Sequence, residues 1–206
     1  MPAPETLGAK GRQTREAIEQ AARKLFAERG FHGTTLADIT SAAGKSSAVF
    51  YRYFTDKEDL LADLAKSFLD DVVTPSGSSV ALPDSPEDSD FFTSVVTGYW
   101  NMFKQNIGIM VAVAQLGATQ QRFAALQNEF RRFGMDIVTA SVLRAQEQGY
   151  GHDLAPQHTA VAIALLFEQF TTVVLRPDAA ELGLHISDSD AIATLSTIWK
   201  KALYGR

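Results

Sequence analysis

Residues 34–60, TTLADITSAAGKSSAVFYRYFTDKEDL, constrain the fold more than any other stretch of the chain. Two short helical patterns meet at Gly44, and a third helical pattern follows. The first opens at Thr35, whose hydroxyl can cap free backbone N–H groups while Asp38, three residues on, completes a capping box. Leu36, Ile39 and Ala43 then share one buried face. Gly44 stands where the chain turns sharply between two helices, a position at which a residue without Cβ accepts positive φ. Ser46 or Ser47 can cap the second helix, and Val49, Phe50 and Phe54 offer apolar anchors behind it. The small side chains of Ser47 and Ala48 leave its leading edge slim enough for a DNA major groove.

The residues that follow suit a phosphate backbone. Tyr51, Arg52 and Tyr53 place hydroxyl and guanidinium donors where such a helix would leave the groove. Thr55, Asp56, Lys57 and Glu58 read as a second capping box, opening a helix through Leu60, Leu61, Leu64 and Phe68. Lys57 would then sit at a helix N-terminus, which favours anions, and a phosphate would supply one. Together these features predict a DNA-binding helix-turn-helix, with Ser47 to Val49 facing the bases and Tyr51, Arg52, Tyr53 and Lys57 on the backbone.

The segment from about Thr14 to Leu64 resembles the N-terminal domain of the tetracycline-repressor (TetR) family of bacterial transcription regulators. The resemblance is carried by LFAERGFHGTT (residues 25–35), LADITSAAG (36–44), SSAVFYRYF (46–54) and DKEDLL (56–61). Two positions depart from the family pattern. Lys45 follows the turn glycine where an apolar residue is usual, and can add a phosphate contact; Thr40 replaces a small apolar residue. Because Ala48 and Val49 present methyl groups, base reading would lean on thymine methyls.

A net charge of −5 looks wrong for a DNA binder until it is divided along the chain. Residues 1–56 hold eight Lys or Arg against six Asp or Glu, whereas the remainder holds eleven against eighteen. Only the N-terminal part is basic, as counterion release at phosphates requires, with Lys10, Arg12, Arg15, Lys45, Arg52 and Lys57 as the candidate contacts. We read residues 1–13 as a flexible basic arm, 14–56 as the helix-turn-helix domain, and 57–206 as a helical regulatory and dimerisation domain. That domain is interrupted by a Pro- and Ser-rich loop at 74–89.

The body shows helical patterns throughout, so the chain is expected to be all-α. Apolar stripes run over residues 90–105 and 109–116, and a long helix over 119–148 carries Phe123, Leu126, Phe130, Phe133, Ile137 and Val138 on one face. Pro156 suits the first turn of a helix over 157–175, which is apolar almost all round. Such a helix must be covered on two sides. One cover is the body's own core and the other a second copy, giving a two-fold homodimer through Leu165, Leu166, Gln169, Thr172, Val173, Leu195, Ile198 and Trp199. Ser187 and Asp190 form a third capping box ahead of the last helix. The resemblance implies the same dimer, through the last two helices of each chain.

Catalysis finds no foothold. The four histidines are scattered, and no HExxH, GxSxG or phosphate-loop pattern is present. With no cysteine there are no disulfides and no thiolate metal sites, and no cofactor or metal is expected. The N-terminus lacks a signal-peptide pattern and no apolar run approaches the length of a membrane span, so a cytoplasmic location is expected. TetR-like bodies commonly bind a small inducer. A pocket for one could be lined by Tyr99, Trp100, Phe103, Met110, Phe123, Gln127, Phe130, Phe133, Phe167 and Phe170, with Asn106 or Gln169 orienting a polar group, and would suit a hydrophobic effector. The expected function is a ligand-released repressor of a palindromic operator. The alternatives are a DNA-binding activator or architectural protein with no ligand, and an all-helical carrier or enzyme whose Gly44 hairpin is only packing.

Overall fold

The computed structural model describes residues 8–73, 82–83, 85–176 and 179–205, except for the side chains of residues 72 and 73. These residues form helices α1 (Ala9–Arg29), α2 (Leu36–Ala42), α3 (Ser47–Phe50), α4 (Lys57–Val73), α5 (Ser89–Gln105), α6 (Ile107–Gly117), α7 (Gln121–Glu147), α8 (Pro156–Val174) and α9 (Asp188–Tyr204). A single 3₁₀ turn, Ala179–Leu182, lies between α8 and α9, and no strand occurs among the described residues. The expected arm at 1–13 lies outside the described residues as far as residue 7, and residues 9–13 belong to α1. Of the expected loop at 74–89, residues 74–81 and 84 lie outside, and Ser89 already opens α5.

The chain divides into two compact units, one of residues 1–71 with 106–127 and the other of 72–105 with 128–206. The division therefore does not fall at residue 56, where the composition suggested it. The reason lies in the apolar residues of α4 and α6. Leu60, Leu61 and Leu64 of α4, and Ile109, Ala112 and Val113 of α6, join Ile18, Phe26, Ile39, Phe50 and Phe54 in one buried cluster. A three-helix domain of about forty residues has too little interior to be stable alone, and α4 and α6 supply the missing apolar surface.

Helix α6 is seated on α1 at a place only glycine can occupy. A Cβ on Gly108 would come within 2.5 Å of the Ala27 nitrogen and of the Phe26 carbonyl carbon. The Arg23 guanidinium donates to Asn106 Oδ1 at 2.8 Å beside that contact. Asn106, expected to orient a polar group in the effector pocket, is thus engaged with α1.

The second unit is built from α5, the greater part of α7, α8 and α9. Its core gathers Phe92, Val96, Trp100, Val142, Leu195, Trp199 and Leu203. Trp199 stands at its centre, within 5.2 Å of the Phe92 ring and 6.0 Å of the Phe167 ring, and its indole N–H donates to Ser141 Oγ at 3.2 Å. Ser187 caps α9 as its spacing to Asp190 predicted, accepting from the Asp190 N–H at 3.1 Å. Leu195 and Trp199 are 0% and 1% exposed inside this unit. Their place in the expected dimer surface is thereby corrected: they lie on the inward stripe of α9, and Ile198, at 39%, lies on the outward one.

Candidate nucleic-acid interface

Local sequence builds the α2–α3 pair as read. The Thr35 hydroxyl accepts from the Asp38 N–H at 3.1 Å while the Asp38 carboxylate accepts from the Thr35 N–H at 2.8 Å. Hydrogen bonds from the Thr35 hydroxyl and then from its backbone N–H hold the Asp38 carboxyl below the usual carboxylate range. Gly44 takes φ +63° at the turn. Of the two serines left open as cap, Ser46 is used, accepting from the Val49 N–H at 3.3 Å. The regular helix α3 is only one turn long, but right-handed turns carry the chain through Tyr53, whose N–H donates to Phe50 O at 2.9 Å.

This short element has two unlike faces. Phe50 and Phe54 are buried behind it, and Val49 is half-buried against the same cluster. Ser46, Ser47, Ala48, Tyr51 and Arg52 are exposed, as are Thr35, Lys10 and Arg12, and Lys45 is half-buried. Tyr51, at 58% exposed, projects furthest of the aromatics, with its ring edge-on to Phe50 at 5.7 Å. Among the described residues neither Lys45 nor Arg52 forms an ion pair, and Arg52 stands exposed.

Three expected phosphate contacts are turned inward instead. Tyr53 is 7% exposed and belongs to the core cluster, because it falls on the buried side of the turn that follows α3. Arg15, also 7% exposed, lies 4.9 Å from the Phe54 ring centre and binds Asp63 of α4 and, at 2.7 Å, Glu19. Burial pushes the Arg15 pKa down, and the paired carboxylates more than offset that.

Lys57 is the third. Its ammonium donates to the carbonyls of Phe31 at 2.7 Å and Thr34 at 2.6 Å and sits 4.2 Å from the Phe31 ring centre. Burial holds its pKa below the ordinary lysine value, against the opposing pull of Glu58. The helix dipole argument that offered Lys57 to a phosphate omitted these carbonyls, which take up the ammonium's donors from within the chain.

The start of α4 is also shifted by one residue from the reading. Asp56, not Thr55, is the cap: its Oδ1 accepts from the Asp59 N–H at 2.7 Å, and the Asp59 carboxylate accepts from the Thr55 N–H at 2.9 Å. A carboxylate is a stronger acceptor for the free N–H groups than a hydroxyl. Glu58, released from that duty, binds Arg122 at 3.0 Å and Gln120 at 3.2 Å near the start of α7.

Sequence reasoning missed the inward cations, although a signal was present. Arg15, Ile18, Ala22 and Phe26 recur at helical spacing, as do Lys57, Leu60, Leu61 and Leu64, so each cation stands on its helix's apolar stripe.

Residues 18–64 match the sequence model of the family described as bacterial regulatory proteins, tetR family. Residues 18–64 are a TetR-type DNA-binding segment. The chain is 45% identical over 71 residues to the HTH-type transcriptional repressor KstR2 of Rhodococcus jostii (strain RHA1), a match that spans 34% of each chain. It is 28% identical over 195 residues to the HTH-type transcriptional regulator EthR of Mycobacterium tuberculosis (strain CDC 1551 / Oshkosh), covering 92% of this chain and 86% of that one. In fold it is similar to FadR of Bacillus subtilis, solved in complex with stearoyl-CoA, at a TM-score of 0.66 with 17% identity over 93% of this chain and 98% of that one. All of these relatives are transcriptional regulators, and none of this chain's described helices is long and apolar enough to cross a membrane.

The expected pocket residues do not form one group. Met110, Phe123 and Gln127 belong to the first unit, where Phe123 is fully buried in the core beneath the helix-turn-helix. Tyr99, Trp100, Phe103, Phe130, Phe133, Phe167 and Phe170 belong to the second. They include an aromatic chain in which Tyr99 lies 5.6 Å from Phe103 and 5.7 Å from Phe167, and Phe103 lies 6.3 Å from Phe130.

Proposed function

We propose that the chain is a cytoplasmic homodimeric repressor, which holds a palindromic operator and releases it when a small hydrophobic effector occupies the second unit. The observation that carries the DNA half of this reading is α3: its rear is locked by Phe50, fully buried, while Ser46, Ser47, Ala48, Tyr51 and Arg52 stand exposed on one continuous turn. Ser47 and Ala48, with part of Val49, read bases, and Tyr51, Arg52, Lys45, Lys10 and Arg12 meet phosphates. Thr35, though engaged in its cap, keeps an exposed edge for the same backbone.

The outward face of α8 supports the dimer. Val161, Leu165 and Leu166 are each 40–42% exposed, and Gln169, Thr172 and Val173 continue their stripe. With Ile198 of α9 they give an apolar surface of the kind that a second copy covers in an isologous pairing. Two reading heads related by a two-fold axis then require an operator with the same symmetry. FadR, with its stearoyl-CoA, supports an effector with an apolar body. Release follows if that compound binds better to a dimer whose heads are misplaced, by the ratio of its two affinities.

Selection of random duplexes against the purified full chain tests the reading. The expected product is an enriched inverted repeat with half-sites about one helical turn apart, bound far less tightly after Tyr51→Phe with Arg52→Ala at an unchanged melting temperature. Recovery of no common sequence would sink it.

A further inference from the structure

Among its described residues the second unit contains three buried polar side-chain atoms without a hydrogen-bond partner: the Tyr99 hydroxyl, the Thr171 hydroxyl and the Trp100 indole N–H. Native interiors satisfy nearly all such groups, because each orphan costs about 1–3 kcal/mol. Two of the three belong together. Tyr99 on α5 and Thr171 on α8 turn their hydroxyls towards each other, yet neither completes a bond of normal geometry. Trp100 leans instead towards Asp188, which Lys104 already holds at 2.5 Å.

The surroundings of the Tyr99–Thr171 pair are apolar and only partly closed. Phe103 and Phe167 flank Tyr99, and Tyr99, Phe130 and Phe170 all keep some exposed surface. The nearest charge is Glu168, whose carboxylate acts on Tyr99 and, after burial itself, helps to hold the phenol in its neutral form. The matching cation is already taken: Arg131 binds both oxygens of Glu168 at 2.7 Å. An incoming anion would therefore meet a carboxylate and find no free guanidinium. A carbonyl oxygen, by contrast, has two lone pairs for two hydroxyl donors and brings no charge into a site of low dielectric.

Building on the reading of the second unit as an effector domain, we propose that the Tyr99 and Thr171 hydroxyls form the polar end of its ligand site. They select an uncharged carbonyl compound with apolar substituents, such as a ketone, ester, thioester or amide, over a carboxylate. The apolar substituents lie against Phe103, Phe130, Phe167 and Phe170, and the carbonyl oxygen accepts from both hydroxyls. A compound of this class satisfies groups that the ligand-free chain leaves unpaired, so its binding adds order to the pairing of α5 with α8.

The test uses the full chain with probes matched in length: 2-undecanone, methyl decanoate, decanoate and n-undecane, followed by calorimetry and thermal shift. The ketone and the ester are expected to bind at least about tenfold tighter than decanoate or the hydrocarbon, the yield of one or two added hydrogen bonds. Tyr99→Phe and Thr171→Val should each weaken ketone binding roughly three- to tenfold, leave n-undecane unchanged, and leave the ligand-free melting temperature equal or higher. A purely structural hydroxyl would do the reverse, lowering the melting temperature without touching the ketone-to-hydrocarbon ratio. That reversal overturns the proposal, as does decanoate binding as tightly as the ketone, or failure of all four probes to bind. Sequence-specific DNA binding by the same sample separates the two levels: if it persists while no probe binds, only the ligand inference falls; if it is absent, the regulator reading itself falls.

Discussion

In the first unit every inward-facing cation identified has its partners. Arg15 reaches across from α1 to Asp63 of α4, Lys57 ties α4 to the carbonyls of Phe31 and Thr34, and the Thr34 hydroxyl, itself fully buried, donates to Gly30 O at 2.8 Å. In the second unit Tyr99, Trp100 and Thr171 keep buried polar atoms unpaired, and α8 leaves an apolar stripe in water. A reading head has to hold its exposed edge in one geometry before it meets DNA, since any freedom there is lost on binding. On the proposed reading the second unit shows the opposite economy: its unmet groups would give a compound and a second copy something to satisfy, and hence a differential affinity between states.

The contrast breaks most readily at the apolar stripe. Leu165→Asp combined with Leu166→Asp should cost the dimer about 3–5 kcal/mol, because four leucines that a pairing would cover are replaced by charges. That is a shift of more than roughly a hundredfold in the dissociation constant, visible by sedimentation. The monomer should stay folded, since both positions face outward. A dimer that survives at micromolar concentration would place the interface elsewhere.

Next in size is Gly108→Ala. The added methyl has only the backbone of α1 to push against, and overpacking at such a contact costs about 2–3 kcal/mol. Denaturant unfolding should show the loss in the first unit, and no loss would mean that α6 is not seated on α1 through this glycine.

Lys57→Met should cost about 2 kcal/mol of stability by leaving two carbonyls without their ammonium donor. The salt dependence of DNA binding separates this from a phosphate role: a backbone contact would lower the slope by about one on removal. The expected slope is unchanged, whereas Arg52→Ala should lower it at constant stability.

Residue spacing alone makes much of this architecture legible. Periodicity locates the helices to within a few residues, and the Thr35–Asp38 box forms as read, because capping chemistry is local. The turn at Gly44 is legible for the same reason. At Ser187 only half of the expected box forms: its hydroxyl caps the Asp190 N–H, and the Asp190 carboxylate accepts from that hydroxyl. What stayed hidden depends on partners far away in the chain: Arg15 and Asp63 are 48 residues apart, and Lys57 meets carbonyls 23 and 26 residues back. A basic residue near a helix-turn-helix carries the same local signature whether it faces phosphate or interior. Its position on an apolar stripe was the only clue. The pocket list is divided for a similar reason, since Phe123 and Phe130 share one face of α7 but fall on opposite sides of the unit boundary at Gln127.

The smallest expected effect probes how the two units respond to acid. Asp38 in the first unit is held below the usual carboxylate range by the Thr35 hydroxyl and N–H, with Arg29 3.8 Å away, and Asp188 in the second chiefly by the Lys104 ammonium at 2.5 Å. A carboxyl whose pKa is depressed by folding stabilises the native state above its unfolded value, near 4, and that contribution disappears as pH falls through the depressed value. Asp38→Asn removes the titration, so the melting temperature of the first unit should fall less between pH 7 and pH 3 than in the parent. Asp188→Asn should do the same for the second unit alone. Both groups are largely open to solvent, so the shifts will be small, and both should shrink in high salt. If Asp38→Asn flattens the acid response of both units equally, the two do not unfold as separate bodies, and the contrast between a fully satisfied head and an unsatisfied body must be drawn within one cooperative structure.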